Sequence, residues 1–137
     1  MDQHRRFLPT LSTSILLVAA VTAAQTPAKS SNDGVFTPAQ AERGKATFQA
    51  KCTACHESNQ FGSREFISGW SKEPLSSLYE MISGTMPADN PGSLQPQEYA
   101  DVVALFLQLN GYRAGAEELK GGKDAMSNVA LDPPATP

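Results

Sequence analysis

Cys52-Thr53-Ala54-Cys55-His56 is the stretch that decides how the rest of this 137-residue chain is interpreted. Two thiols one helical turn apart can each add to a vinyl group on one edge of a porphyrin, while the adjoining imidazole is held close enough to bind the iron. A Cys-x-x-Cys-His run is the attachment sequence of c-type haem. We therefore predict one covalent haem c, joined through Cys52 and Cys55, with His56 as an iron ligand.

Two other kinds of site use the same residue types. A zinc site needs about four ligands, and beyond residue 24 the chain offers only two cysteines and one histidine. A thiol-disulfide exchanger is the stronger rival, because a Cys-x-x-Cys pair can hold a reactive bond. Such a pair normally sits beside a strand-helix-strand pattern, which this sequence lacks. Haem attachment is therefore favoured over both.

The helix that leads into the motif has a clear start. Thr37 supplies a capping hydroxyl, Pro38 occupies the first helical position, and good helix formers continue to Lys51. Gly44 and Phe48 are four residues apart and share one face of this helix. Because a glycine within a helix costs about 1 kcal/mol against alanine, Gly44 indicates that another backbone packs closely there.

Two further helices are predicted after the motif. One begins near Pro74 and ends near Gly84, with apolar residues at helical spacing. The last follows Pro96 and ends at Asn110-Gly111, and because Gln95 is a poor cap its first turn is expected to fray. No alternating pattern of strand length occurs. The predicted fold class is all-α, with three or more helices around one covalently bound haem.

The first 24 residues have the organisation of an export signal. Arg5 and Arg6 supply positive charge, residues 15–21 form an apolar core, and small residues precede a cleavage point after Ala23 or Ala24. An uncleaved anchor is disfavoured because the apolar run is shorter than the roughly 20 residues that cross a bilayer. We predict a periplasmic mature protein without a membrane span.

The chain is predicted to divide into four segments. These are a signal peptide at 1–24, a flexible lead-in at 25–36, one helical domain at 37–111 and a partly disordered C-terminal tail at 112–137. The formal net charge is −3 at pH 7, and loss of the signal, with two arginines and one aspartate, makes the protein slightly more acidic. That balance argues against nucleic-acid binding, which requires a concentrated basic face.

The second axial ligand decides what the iron can do. A haem with one protein ligand binds gases or peroxide, whereas two strong axial ligands confine it to electron transfer. His4 lies in the predicted signal, so the candidates are Met81, Met86 and Met126. Met81 falls within a predicted helix and Met126 in the tail, whereas Met86 precedes Pro87 on a loop between helices. We predict Met86 as the ligand; the alternative is a buried core methionine.

Four features together resemble a class I cytochrome c: the Cys52-to-His56 motif, the Gly44/Phe48 pair, the Thr85-Met86-Pro87 loop and the final helix with Tyr99-Ala100-Asp101-Val102-Val103-Ala104. The resemblance covers residues 37–111. It implies the class I cytochrome c fold, thioether bonds at Cys52 and Cys55, iron bound by His56 and Met86, and an exposed haem edge as the point of electron transfer.

A second set of residues resembles the small periplasmic cytochromes that accept electrons from quinoprotein dehydrogenases: Trp70, Leu78-Tyr79, Met86-Pro87 and Pro91-Gly92-Ser93-Leu94. The resemblance implies a soluble one-electron carrier and not an enzyme. Its implied partners are a quinoprotein (PQQ) dehydrogenase as donor and a terminal oxidase or another cytochrome as acceptor. The alternatives are a dedicated subunit of such a dehydrogenase, or a haem-based ligand sensor or peroxidase with a displaceable methionine.

This sequence departs from the family pattern after the haem motif. The family usually has a proline there whose carbonyl orients the proximal histidine, but residues 57–73 contain none. A main-chain carbonyl near Gln60, Phe61 or Gly62 is therefore expected to accept the imidazole N–H of His56.

A second departure lies in the final helix. The family often has an aromatic residue where this chain has Leu105. We therefore expect Phe106 or Tyr99 to supply the aromatic packing against Phe48.

Overall fold

The computed structural model describes residues 28–135. Their main elements are four helices: α1 (Pro38–Lys51), α2 (Arg64–Ser68), α3 (Leu75–Thr85) and α4 (Pro96–Leu109). Single 3-10 turns lie at Ser31–Asp33, Ser58–Gly62 and Lys123–Met126, and two-residue strands, β1 (Lys29–Ser30) and β2 (Val129–Ala130), pair in parallel. The all-α prediction is confirmed.

The sequence made two predictions about export and membrane insertion. The predicted signal peptide at 1–24 lies outside the described residues. Within residues 28–135, none of the helices combines the length and the apolar character needed to traverse a bilayer.

Helix α1 begins where its capping residues predict. The Thr37 hydroxyl accepts a hydrogen bond from the main-chain N–H of Gln40 at 3.1 Å, and Pro38 is the first helical residue. These two residues satisfy or remove N–H groups that have no partner within a helix. The helix ends at Lys51, directly before the motif.

Helices α1 and α4 cross with their backbones in contact at Gly44. A Cβ atom on this residue would overlap the carbonyl group of Asp101 and lie 3.0 Å from the main-chain nitrogen of Val102. The close packing predicted for Gly44 is therefore confirmed. One turn later the Phe48 ring packs edge-on against Phe106, with centroids 6.1 Å apart, and both side chains are buried.

The bounds of α3 and α4 lie within about one residue of the predictions. Helix α3 continues past Gly84 to Thr85, and Met86 is its C-cap residue. A capping bond opposes the fraying expected at the first turn of α4, since the main-chain N–H of Gln95 donates to the Glu98 carboxylate at 2.7 Å. A glutamate three residues after the cap position supplies this bond even where the cap side chain is weak.

The segments before α1 and after α4 are packed into the core. Val35 and Phe36, in the predicted flexible lead-in, are buried, and so are five residues of the predicted partly disordered tail: Tyr112, Leu119, Met126, Val129 and Leu131. The tail is tied to the loop before α3, since Lys72 N–H donates to the Leu131 carbonyl and Leu131 N–H donates to Glu73, both at 2.9 Å. Isolated apolar residues between glycines and prolines carry no helical period, so the sequence pattern does not reveal this packing.

Two glutamine side chains hold the tail against the helices. Gln40 donates to the Leu119 carbonyl at 2.8 Å and accepts from the Leu119 N–H at 2.9 Å. Gln97 donates to the same carbonyl at 2.9 Å and accepts from the Gly121 N–H at 3.0 Å. We call Gln40, Gln97, Leu119 and Gly121 the glutamine clasp. It joins α1, α4 and the tail.

A carboxylate lies at the centre of this junction. Asp101, 5% exposed, accepts hydrogen bonds from Gln40 at 3.0 Å, from Gln97 at 3.0 Å and from Arg43 at 2.9 Å. Arg43 also pairs with Glu118 at 2.9 Å. Glu118 and then Asp101 raise the pKa of the Arg43 guanidinium, and Arg43 in turn lowers the pKa of Glu118. The buried charge of Asp101 is therefore compensated by several donors.

Met126→Ala tests whether the tail belongs to the folded unit. Met126 is 0% exposed, so we expect the free energy of unfolding to fall by about 2–5 kcal/mol, the usual cost of truncating a buried methionine. Leu109→Ala is the control, because that side chain is 38% exposed. Denaturant titration of the purified proteins measures both. Equal midpoints for Met126→Ala and wild type would contradict the packed tail.

Candidate functional site

The Cys-x-x-Cys-His motif forms one turn that continues from the end of α1. The main-chain N–H groups of Cys55 and His56 both donate to the Cys52 carbonyl, at 3.1 and 2.9 Å, and the Cys52 N–H donates to Phe48 at 2.8 Å. Cys52 and His56 are half-buried and Cys55 is exposed, and neither thiol is in a disulfide. The structure thus brings the three predicted residues together at the helix end.

One aromatic ring, Phe61, contacts His56, and three further rings pack against Phe61. The imidazole stands edge-on to Phe61 with centroids 5.4 Å apart, and Phe61 stacks on Phe106 at 4.4 Å with an interplanar angle of 9°. Phe48 and Phe66 each meet Phe61 edge-on. Of the two residues predicted to pack against Phe48, Phe106 does so, whereas Tyr99 pairs with Tyr79 at 6.2 Å. Phe61 and the rings packed against it therefore form an aromatic support beside the imidazole.

Asn110 holds this support in place. Its side-chain amide donates to the Phe61 carbonyl at 2.6 Å and to the Phe106 carbonyl at 2.7 Å. The turn after the motif is thereby tied to the end of α4. Sequence reasoning identified Asn110 only as the end of a helix, because an Asn-Gly pair signals a turn and gives no information about a distant partner. That a carbonyl near Phe61 orients His56 stays a prediction.

The three candidate methionines occupy different environments. Met126 is fully enclosed in the core, at the end of the last 3-10 turn. Met81 is half-buried on α3, and the Thr85 hydroxyl lies 3.7 Å from its sulfur. Met86 is half-buried directly after α3, and its N–H donates to the Ile82 carbonyl at 2.9 Å. Met81 and Met86 remain the candidates with partly exposed side chains.

The motif turn and the segments that follow it, up to the start of α4, carry half-buried apolar side chains. These side chains pack against the core while keeping part of their surface exposed: Cys52, Phe61, Phe66, Trp70, Met81, Met86 and Leu94. A porphyrin face requires apolar contacts of this kind, and its covalent attachment requires two unpaired thiols beside an imidazole. The residues present therefore fit a covalently bound haem.

The rival sites fit less well. Within the part of the chain that the structure describes, no three His, Cys, Asp or Glu side chains are grouped to hold a metal ion, as a zinc site requires. Burial raises the pKa of the Cys52 thiol, whereas reactive thiols of disulfide exchangers have a lowered pKa.

Comparison with known proteins agrees with the motif. Residues 39–105, just under half of the chain, match the family described as "Cytochrome C oxidase, cbb3-type, subunit III". The matched segment runs from the start of α1 into α4 and includes the motif turn and Met86. No curated protein and no solved structure compared with the chain matches it. The family match supports a c-type cytochrome domain over these residues, with a covalent haem c and an electron-carrying role.

Proposed function

We propose that this protein is a soluble periplasmic one-electron carrier with a single haem c, attached at Cys52 and Cys55 and bound axially by His56 and Met86. The observation that carries the proposal is the single turn at the end of α1 that presents both thiols and the imidazole. When bound, the haem supplies the one-electron couple between ferric and ferrous iron.

The residues of the chain adjust that couple in two ways. The Met86 thioether is a soft ligand that favours ferrous iron, and the half-buried apolar side chains around the site disfavour the extra charge of ferric iron. Both effects raise the reduction potential. His56 and Met86 would together hold the iron, so the bound haem would pass electrons without turning over a substrate.

Partners would meet the protein where the motif reaches the surface. Cys55 is exposed, so the porphyrin edge attached there would be the point of electron transfer. Electron-transfer encounters are brief and use small contact patches. We propose a quinoprotein dehydrogenase as donor and a terminal oxidase or another cytochrome as acceptor, and the matched family's description names an oxidase. Co-elution with a dehydrogenase on gel filtration of native extracts would instead favour the dedicated subunit.

Spectroscopy of the purified protein tests haem attachment. Expressed in a host that attaches c-type haem, the wild type is expected to show the c-type bands after reduction and one covalent haem per chain by mass. The double variant Cys52→Ala/Cys55→Ala should lose the covalent mass, because no thiol remains to bond a vinyl group. A colourless wild-type protein with an oxidisable thiol pair would contradict the proposal and favour the exchanger.

Fractionation tests the location. We expect the protein in the periplasmic fraction, with a mass that corresponds to a chain starting at Ala24 or Gln25, because cleavage follows Ala23 or Ala24. Recovery of the haem-loaded protein from the membrane fraction with residues 1–24 still present would show that the segment is an anchor.

A further inference from the structure

One buried hydroxyl joins both ends of the loop that contains Met86. Tyr99 lies on the first turns of α4 and is 2% exposed. Its hydroxyl donates to the Met86 carbonyl at 2.7 Å and accepts from the Leu94 N–H at 3.4 Å. We call residues 86–94 the Met86 loop. Its first and last residues thus converge on a single side-chain oxygen.

The backbone of Met86 is fixed on both of its sides. Its N–H donates to the Ile82 carbonyl of α3 at 2.9 Å, and its carbonyl accepts from Tyr99 and, at 3.4 Å, from the N–H of Gly92. The first bond ties the residue to α3 and the Tyr99 bond ties it to α4. With both main-chain polar groups engaged, the side chain starts from a backbone of defined position.

The Tyr99 bond also links Met86, through α4, to α1, the helix that leads into the motif. Helix α4 is fixed against α1 by the backbone contact between Gly44 and Asp101, and α1 ends at the motif turn. A path of direct contacts therefore runs from the motif turn through α1 and α4 to the Met86 carbonyl. Because the Met86 loop is anchored to these helices, the distance between His56 and Met86 should vary less than if the loop were held only by bonds within itself.

We propose that Tyr99 is a positioning residue whose hydroxyl holds the Met86 backbone and thereby determines how firmly the sixth iron position is closed. The proposal rests on ligation of the iron by Met86. The positioning role belongs to the Tyr99 hydroxyl oxygen alone. The aromatic ring of Tyr99 packs in the core whether or not the hydroxyl is present.

The neighbouring tyrosine provides a matched control. The Tyr79 ring meets Tyr99 edge-on at 6.2 Å and is also buried, with an exposure of 6%. Its hydroxyl, however, donates to the Pro96 carbonyl at 3.3 Å and not to the Met86 loop. Tyr79→Phe therefore removes the same atom from an adjacent ring while leaving the Met86 contacts intact.

Imidazole binding to the ferric holoprotein measures the proposed role. Tyr99→Phe leaves the Met86 carbonyl with only the longer bond from the Gly92 N–H. We expect imidazole affinity to rise about tenfold, as for loss of one hydrogen bond. The ferric charge-transfer band of sulfur ligation should weaken in parallel. Tyr79→Phe should stay within about twofold of wild type, since the bond that it loses is made elsewhere.

Met86→Ala separates two claims: that Met86 binds the iron, and that Tyr99 positions Met86. If Met86→Ala opens the iron to imidazole while Tyr99→Phe stays at the wild-type affinity, the positioning role is wrong and the ligation stands. If Met86→Ala leaves the iron closed, the ligation itself is wrong. Equal effects of Tyr99→Phe and Tyr79→Phe would also overturn the specific role of Tyr99. The unfolding midpoint of each variant reports separately on folding.

Discussion

Met86→Ala protein, purified with its haem attached, is expected to bind one equivalent of carbon monoxide in the ferrous state, whereas wild-type protein binds essentially none at neutral pH. Two strong axial ligands leave no open position on the iron, and removal of the thioether creates one. Covalent attachment should be unchanged, because Cys52 and Cys55 lie in the turn after α1, whereas Met86 follows α3. Optical titration of the reduced proteins with carbon monoxide measures the difference.

Met81→Ala is the matched control for this prediction. Met81 and Met86 are both half-buried and lie five residues apart at the end of α3. We expect Met81→Ala to resemble wild type in carbon monoxide binding. If Met81→Ala opens the iron and Met86→Ala does not, the ligand assignment is reversed. Stoichiometric binding by the wild type would favour the ligand sensor or peroxidase over the carrier.

The parts of the fold that the sequence predicted are those with local signals. The start of α1 follows from Thr37 and Pro38, which act within a few residues of themselves. The motif turn follows from the fixed spacing of its residues. Gly44 was informative because glycine is costly within a helix, so its presence there required a close neighbour, and Asp101 is that neighbour.

The contacts that the sequence did not predict join distant positions. The bond between Gln40 and Leu119 spans 79 residues, and that between Asn110 and Phe61 spans 49. The position of a glutamine or asparagine in the sequence does not show which distant group its side chain binds. The tail has too few apolar residues to display a helical or strand periodicity. Helix α2 has five residues, too few to be stable without tertiary packing. These features depend on the assembled core.

The role of Tyr99 shows the same limit within the site. The sequence indicated Tyr99 as a possible aromatic partner of Phe48, whereas its ring is 2% exposed and pairs with Tyr79. The Tyr99 hydroxyl has its function through the Met86 carbonyl, 13 residues away. Helical periodicity reports which side of a residue is buried and contains no information about the polar atom at its tip.

Gly44→Ala is expected to lower the free energy of unfolding by about 3 kcal/mol, at the upper end of the usual cost of overpacking a core. The added Cβ would overlap the carbonyl of Asp101, a backbone atom that can move only if α1 and α4 separate. Separation of these helices would also loosen the bonds that Asp101 accepts from Gln40 and Arg43. Denaturant titration of the holoprotein, followed by circular dichroism, gives the magnitude.

Gly84→Ala separates this steric effect from the general effect of adding a methyl group to a helical glycine. Gly84 lies in α3, and a Cβ atom there has no neighbour within 4 Å. Alanine should therefore stabilise the protein by up to about 1 kcal/mol, because it restricts the unfolded chain and favours the helix. The two substitutions are thus expected to act in opposite directions.

Because α1 leads into the motif turn and α4 carries Tyr99, Gly44→Ala should also weaken the ferric charge-transfer band of sulfur ligation, and Gly84→Ala should not. A Gly44→Ala protein as stable as wild type would mean that the two helices do not touch at this crossing, and the path of direct contacts from the motif turn to Met86 would be lost with it.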